Sequence, residues 1–217
     1  MVWDTSQSQT NAGIIKPSQV RLYHRDKVRD LKVNEKTRRF GTVSADGTVK
    51  FWDCEHGLPI SSVDLQYKQE LVCMACDDDL NAFSVGSESH IQMIDARSNG
   101  VQRSVTSLDP GGSVRSLSVH DRLMTVGTGG GTLSFLDLRT DKFLEVNQRN
   151  EGEAGGSGVL MTGHGYLKRD EVFLQHFDGV DLRHTVYTHC YDPTYTKLFV
   201  GGGPLPVGLC GCYAAVW

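Results

Sequence analysis

The chain has 217 residues, of which 39% are hydrophobic and 22% are charged. This balance is typical of a globular protein and excludes a disordered or collagen-like chain. The 22 lysines and arginines are outweighed by 26 acidic residues, so contact with nucleic acid would need a local basic patch. No apolar run approaches the roughly 18 to 20 residues of a membrane helix, and the polar first residues do not resemble a signal peptide. We therefore expect a cytoplasmic and nuclear protein without a membrane partner.

The six cysteines do not indicate a disulfide framework, because such frameworks belong to small secreted chains. We expect free, mostly buried thiols. Cys73 and Cys76 have a zinc-like spacing, but residues three apart in an extended segment point to opposite faces of a sheet. Cys210 and Cys212 lack a second pair with metal-ligand spacing, and no motif places the eight histidines in a catalytic triad. The sequence therefore predicts no catalytic residue, no metal site and no cofactor.

A repeat of 42 residues organises the chain. Thr48–Asp53, His90–Asp95 and Thr132–Asp137 align without a gap, with starting residues at 48, 90 and 132. Each segment alternates apolar and polar residues and ends in an apolar residue and an aspartate, which is typical of a β-strand. Each is preceded by a turn and by two further β-rich runs. A fixed period of about 40 to 45 residues with several strands per unit indicates the blades of a β-propeller.

We therefore predict an all-β fold, a partial propeller of about four blades in an open arc, and one domain over residues 1–217. The predicted blade units cover about residues 20–62, 63–105, 106–146 and 186–217, with a loop-rich insertion at about 147–185. Within it, residues 147–158 combine glycines and charges without an apolar period, which predicts a mobile surface loop. The last unit is predicted to stop at its third strand. The glycine runs at 127–131 and 201–203 are predicted to be tight turns.

Residues 44–53, SADGTVKFWD, are close to the consensus of the WD-repeat β-propellers, and the chain resembles this family. A closed propeller of the family usually has about seven blades, so the chain is expected to be the C-terminal half of a longer protein. An open arc leaves blade faces uncovered and strand edges unpaired. We therefore expect either a truncated form of a longer protein or a fragment that is poorly stable on its own.

The resemblance to WD-repeat propellers assigns residues to the two faces of the arc. The first strand of each unit is expected to be innermost and to begin at the upper face, where Arg29 and Arg115 occupy the same place and Lys27 lies nearby. Two guanidiniums at a concave mouth form a good receptor for carboxylates, although solvated charges on a rim remain an equally open interpretation. At the lower face, two Asp-x-Arg pairs repeat at 42 residues. The local alternative is an aspartate that caps its own turn and an arginine that pairs with it. These pairs are Asp95 with Arg97 and Asp137 with Arg139.

Several segments carry a closer resemblance, above all residues 114–119, 186–192 and 202–206. They are similar to the C-terminal half of proteins in the family of the twelfth DDB-and-cullin-associated factor. Members of this family are WD-repeat substrate receptors of cullin-RING E3 ubiquitin ligases. The resemblance implies a non-catalytic receptor that binds proteins with acidic, di-glutamate C-termini and docks on the DDB adaptor. It implies that Lys27, Arg29 and Arg115 bind the degron. The adaptor-docking residues would be Asp95, Arg97, Asp137 and Arg139, although Ile94 and Leu136 replace the tryptophan of the docking motif.

Three alternatives stay open beside the receptor. A generic WD-repeat scaffold that joins proteins without a ligase is the principal one, and binding of the adaptor separates the two. An enzyme is less favoured, because no motif places a nucleophile beside a base. A nucleic-acid-binding patch is the least favoured.

Overall fold

In a computed structural model of the protein, the described residues are 23–98, 100–146 and 156–217. They form antiparallel sheets. The first sheet contains β1 (Val28–Asn34), β2 (Arg39–Ser44), β3 (Thr48–Asp53) and β4 (Pro59–Asp64). The second contains β5 (Cys73–Asp77), β6 (Ala82–Gly86), β7 (His90–Asp95) and β8 (Val101–Thr106). The third contains β9 (Val114–His120), β10 (Leu123–Thr128), β11 (Thr132–Asp137) and β12 (Lys142–Phe143).

The segment between the third and fourth sheets contains further short elements. These are β13 (Glu145–Val146), β14 (Gly156–Ser157), β15 (Leu160–Met161), β16 (Tyr166–Leu167) and the helix α1 (Glu171–His176). The fourth sheet is formed by β16 together with β17 (His184–Tyr191), β18 (Leu198–Pro204) and β19 (Gly211–Val216). Among the described residues, no helix is long and apolar enough to cross a membrane.

The sheets stack side by side into an arc. The inner strands follow one another around it, because β5 packs against β1 and β9, and β9 packs against β17. Successive apolar layers fill the spaces between the sheets, and in the first layer the rings of Phe51 and Phe83 lie 5.0 Å apart. The arrangement is a partial, open β-propeller, so the fold predicted from the 42-residue repeat is confirmed.

The first sheet shows why its tryptophan is useful. Trp52 Nε1 donates a hydrogen bond of 2.9 Å to Thr42 Oγ1, and the same hydroxyl lies 2.7 Å from Nε2 of His24. His24 is held in turn by Asp46, at 3.3 Å from its Nδ1. This chain of contacts ties the segment before β1 to β2 and β3. In the next two sheets the tryptophan position holds Ile94 and Leu136, which are fully buried and pack without such a chain of polar groups.

The insertion is partly ordered. β13 pairs with β14, and β15 pairs with the first half of β11 while β12 pairs with its second half. The outer edge of the third sheet is therefore built from both sides of the insertion. The predicted mobile loop of residues 147–158 lies mostly outside the described residues and stays a prediction.

Two predictions about the last unit are wrong. The fourth sheet does not stop at its third strand, because β16, which precedes the other three strands in the chain, pairs with β19 on the outside. Residues 201–203 are not a turn but part of β18. A Cβ at Gly202 would overlap the carbonyl oxygen of Thr185, so the glycine allows the close approach of two backbones.

The cysteines are partly as predicted. All six are free, but only Cys73 is buried and Cys76 is half-buried, so the prediction of mostly buried thiols is wrong. The exposed ones lie after β3 or in and near strands of the last sheet. They are Cys54, Cys190, Cys210 and Cys212.

Candidate binding surfaces on the two faces of the arc

The upper face is the one at which the inner strand of each sheet begins. The turn between the second and third strands of the sheet lies at the same face. The backbone carbonyl of Lys27 accepts a hydrogen bond of 2.9 Å from Ala45 N in that turn of the first sheet. In the third sheet, Gly129 N donates to the carbonyl of Ser113 at 2.9 Å. The residues that open β1 and β9 therefore lie at the same face, next to equivalent turns.

Arg29 and Arg115 occupy the same structural position, which is a β-bulge. In the first sheet Val28 pairs with Ser44 and Asp30 pairs with Val43, so Arg29 is the extra residue. Arg115 is the extra residue between Val114 and Ser116 in the third sheet. A bulge turns its side chain away from the regular alternation of the strand. The two arginines are therefore presented in the same way by inner strands of two different sheets.

The fourth sheet has the same bulge, with a tyrosine that sequence reasoning missed. Val186 pairs with Gly202 and Thr188 pairs with Gly201, so Tyr187 is the extra residue. Its side chain is exposed, and its hydroxyl donates to the carbonyl of Pro204 at 3.3 Å. The signal was present, because Val186-Tyr-Thr188 aligns with the valine and arginine that open β9. The second sheet lacks the bulge, since Cys73 and Met74 pair with consecutive residues of β6.

The surroundings of the three predicted basic residues differ. Lys27 and Arg29 are exposed, and neither forms an ion pair with any described residue. The Arg115 side chain is only 17% exposed and forms an ion pair with Glu70, which lies between β4 and β5. The same carboxylate accepts a hydrogen bond of 2.6 Å from Ser113 Oγ, and Arg115 Nε is buried without a hydrogen-bond partner among the described residues.

A further cation and a neutral histidine lie deeper along the inner strands. Lys32 is half-buried, with its Nζ 3.9 Å from Asp30 Oδ2. His189 lies between two serines of β9, with Nδ1 2.8 Å from Ser116 Oγ and Nε2 2.7 Å from Ser118 Oγ. Burial and, to a lesser degree, the charge of Lys32 lower the pKa of His189 to about 4. The histidine is therefore neutral at pH 7, and Lys32 adds a positive charge that the sequence analysis did not include.

The lower face carries the turns that follow β3, β7 and β11. In two of them the aspartate binds the arginine two residues later. Asp95 Oδ1 accepts from Arg97 N at 2.8 Å, and Arg97 Nη2 donates to Asp95 Oδ2 at 2.7 Å. The corresponding distances for Asp137 and Arg139 are 2.9 Å and 3.1 Å. Hydrogen bonds from these arginine side chains, followed by backbone hydrogen bonds, lower the pKa of both aspartates.

The first sheet has the same turn without an arginine. Asp53 Oδ1 accepts from the backbone N of Glu55 at 2.7 Å and of His56 at 2.8 Å. The aspartate and the backbone therefore suffice for the turn. The local pairing considered as an alternative is present at Arg97 and Arg139, but their side chains remain 71% and 67% exposed. Beside Arg139 lies an open groove of about 420 Å³ lined by Arg122, Leu123 and Leu144.

The charged groups on the two faces are suited to binding. Among residues 23–98, 100–146 and 156–217, no group of three or more histidine, cysteine or acidic side chains is arranged to hold a metal ion. Burial raises the pKa of Cys73 and of Cys76 to about 12, so both thiols are protonated at neutral pH. Fixed guanidiniums on both faces are suited to carboxylates, which they bind through charge-assisted hydrogen bonds.

The fold and these repeated positions define a WD-repeat β-propeller with cationic side chains on both faces. Residues 7–217 match the family model described as the DDB1- and CUL4-associated factor 12 beta propeller. The chain therefore belongs to this family, and the resemblance noted from the sequence is confirmed.

Proposed function

We propose that the protein is a substrate-receptor subunit of a cullin-RING E3 ubiquitin ligase, acting in the cytoplasm and nucleus, that binds acidic, di-glutamate-type C-termini of its targets. Membership of the family supports the ligase context. In this role the chain performs no chemistry of its own, because ubiquitin transfer takes place on other subunits. The observation that carries the proposal is the pair of equivalent bulges that present Arg29 and Arg115 at the upper face.

The upper face is suited to an acidic C-terminus by charge and by geometry. A peptide that ends in two glutamates brings three carboxylates within a short distance, counting its own terminus. Lys27 and Arg29 offer exposed cations, and Arg115 offers a guanidinium that is fixed by its partial burial. A fixed guanidinium loses little side-chain entropy when it binds a carboxylate, and it can bind in a bidentate manner.

The lower face is proposed as the docking surface for the DDB adaptor. Asp95 and Asp137 hold the arginines two residues later in one orientation on neighbouring sheets, and most of each guanidinium remains exposed. The turn after β3 forms without an arginine, so these two arginines are surplus to the local structure. A preorganised, repeated and exposed pair of charges is suited to a partner surface with acidic groups.

The upper-face proposal is tested by titrating the protein with a fluorescent peptide that ends in Glu-Glu. Losing one partly desolvated charge-assisted hydrogen bond is expected to cost about 1.5 to 3 kcal/mol, so Arg115→Ala is expected to weaken binding about tenfold or more. The C-terminally amidated peptide and added salt are expected to weaken binding as well. If both Arg115→Glu and amidation of the peptide left the affinity unchanged, the proposed binding site would be refuted. The arginines would then be solvated charges on the rim.

The lower-face proposal is tested by co-purification of the adaptor. The variant with both Arg97→Ala and Arg139→Ala is expected to lose the adaptor while its circular dichroism spectrum stays that of the wild type. Glu55→Ala is the matched control, because Glu55 occupies the same place in the turn of the first sheet. Full retention of the adaptor by the double variant would favour a generic WD-repeat scaffold over a ligase receptor.

A further inference from the structure

The upper face already contains a carboxylate at its most buried cation. Glu70 Oε2 is the ion-pair partner of Arg115 and also accepts the hydrogen bond from Ser113. We propose that Glu70 is a built-in competitor of the acidic ligand: it occupies Arg115 in the unbound protein, and an incoming C-terminus must displace it. This inference rests on the proposed function and names the residue that sets the affinity of the same site.

The backbone places the Cα of Glu70 beside Arg115, so only the side chain has to rotate for the carboxylate to leave. Glu70 adopts φ = 52° immediately before Leu71, which is 3% exposed and anchored in the first apolar layer. Ser113, which contacts it from the start of the next inner strand, adopts φ = 55°. Residues other than glycine seldom adopt the left-handed region, although several turns of this protein contain one, and here it fixes the backbone on both sides of the contact. Glu70 and Ser113 both adopt this conformation, and the hydrogen bond from Ser113 Oγ to Glu70 Oε2 joins them.

The chemistry of the contact makes Glu70 equivalent to part of a ligand. A glutamate side chain and a peptide C-terminus present the same group to a guanidinium. Only 17% of the Arg115 side chain is exposed, so it has little room for a second carboxylate beside the first. The Glu70 side chain, by contrast, is 47% exposed and can rotate into solvent when it is replaced.

A tethered competitor lowers the affinity for every ligand that needs Arg115. A group held next to its partner competes at an effective concentration on the order of millimolar. Single carboxylates, which bind a lone guanidinium weakly, are then excluded at ordinary concentrations. A terminus with several carboxylates offsets the competition through its contacts with Lys27 and Arg29, which have no internal partner among the described residues. The competitor thereby restricts the site to multiply acidic C-termini.

The test is a set of titrations of the protein with the peptide ending in Glu-Glu. Glu70→Gln removes the competing charge and is expected to raise the affinity by up to about fivefold, the upper end of the effect of a partly exposed ion pair. Glu70→Asp keeps the charge but shortens the side chain, and a smaller gain is expected. Glu88→Gln is the matched control, since Glu88 is exposed, forms no ion pair among the described residues and lies beside this segment, with its N donating to the Gln69 carbonyl at 3.0 Å.

The decisive comparison repeats Glu70→Gln in a protein that already carries Arg115→Ala. If Glu70 competes through Arg115, the gain disappears in this background. An equal gain in both backgrounds, or the same gain for Glu88→Gln, would mean that Glu70 acts only through general charge repulsion and would overturn the inference. Weaker binding by Glu70→Gln would assign Glu70 to positioning Arg115 and would also overturn it. Absence of binding by every variant would instead refute the proposed function together with the inference.

Discussion

The stability of the arc is expected to depend on pH through His189. This residue connects the inner strands of the third and fourth sheets through Ser116 and Ser118. Burial disfavours its charged form, and the positive charge of Lys32 acts in the same direction, so its pKa falls from 6.5 to about 4. The unfolded chain, in which the histidine is solvated, therefore binds a proton more readily than the folded protein between these two values. The contribution of His189 to the free energy of unfolding is fully present above about pH 6.5 and is lost as the pH falls towards 4.

The magnitude follows from the two pKa values. A difference of one in pKa corresponds to about 1.4 kcal/mol, so the change from 6.5 to about 4 gives a total effect of about 3 kcal/mol. Between pH 7 and pH 5 the linkage relation assigns His189 a loss of about 2 kcal/mol in the free energy of unfolding. Carboxylates with lowered pKa values also lose their contribution to stability as the pH falls, but they do so further down the pH scale. Asp192, for example, has a pKa of about 2 because of hydrogen bonds from Thr194 and from backbone groups, so it stays ionised in this window.

The assay is urea unfolding at pH 7 and pH 5 for the wild type and for His189→Gln. The variant lacks the titrating group, so the difference between its losses and those of the wild type isolates His189 from other groups, including His24, whose pKa is also lowered by burial. The wild type is expected to lose about 2 kcal/mol more than the variant between the two pH values. Equal losses in both proteins would show that the environment of His189 accepts the charged form, and would refute the reasoning from burial.

Three further predictions concern the repeated positions of the fold. The double variant Arg97→Ala and Arg139→Ala is expected to keep the urea midpoint of the wild type, because the turns rest on the aspartates and the backbone; a clear fall in the midpoint would contradict this. Trp52→Phe removes the hydrogen bond to Thr42 and is expected to lower the free energy of unfolding by about 1 to 2 kcal/mol in urea titrations. Gly202→Ala introduces an overlap with the backbone of β17 and is expected to lower the thermal midpoint by several degrees or to prevent folding, whereas an unchanged midpoint would show that β17 and β18 can separate without cost.

The strongly periodic parts of the molecule could be predicted from the sequence. In Thr48–Asp53 and its two repeats, every second residue is apolar and is expected to lie between sheets. Val49, Ile91 and Leu133 are buried as this alternation predicts. The fourth sheet's outer strand could not be predicted, because Tyr166–Leu167 has two residues and carries no period. Its place depends on β19, which comes about 45 residues later in the chain and whose outer edge would otherwise be unpaired.

The candidate site was predictable where it repeats and not where it depends on distant contacts. Arg29 and Arg115 were identified because they share a place in the repeat, and their bulges support that equivalence. Glu70 was missed because it lies 45 residues from Arg115 in the chain and has no repeated counterpart. Lys32 was missed because its effect reaches His189 on another sheet, which alternation within one strand does not reveal.

The two faces obtain their arginines by different means, and this difference bears on how they bind. On the upper face, a bulge changes the direction of a side chain within an inner strand. The position of Arg115 relative to Arg29 therefore depends on how the first three sheets pack on one another. On the lower face, an aspartate in the same turn fixes each arginine. The local geometry of Arg97 and Arg139 therefore does not depend on the packing between sheets. Loosened packing between the sheets is therefore expected to affect the upper face first, because a ligand with several carboxylates needs cations from more than one sheet at once.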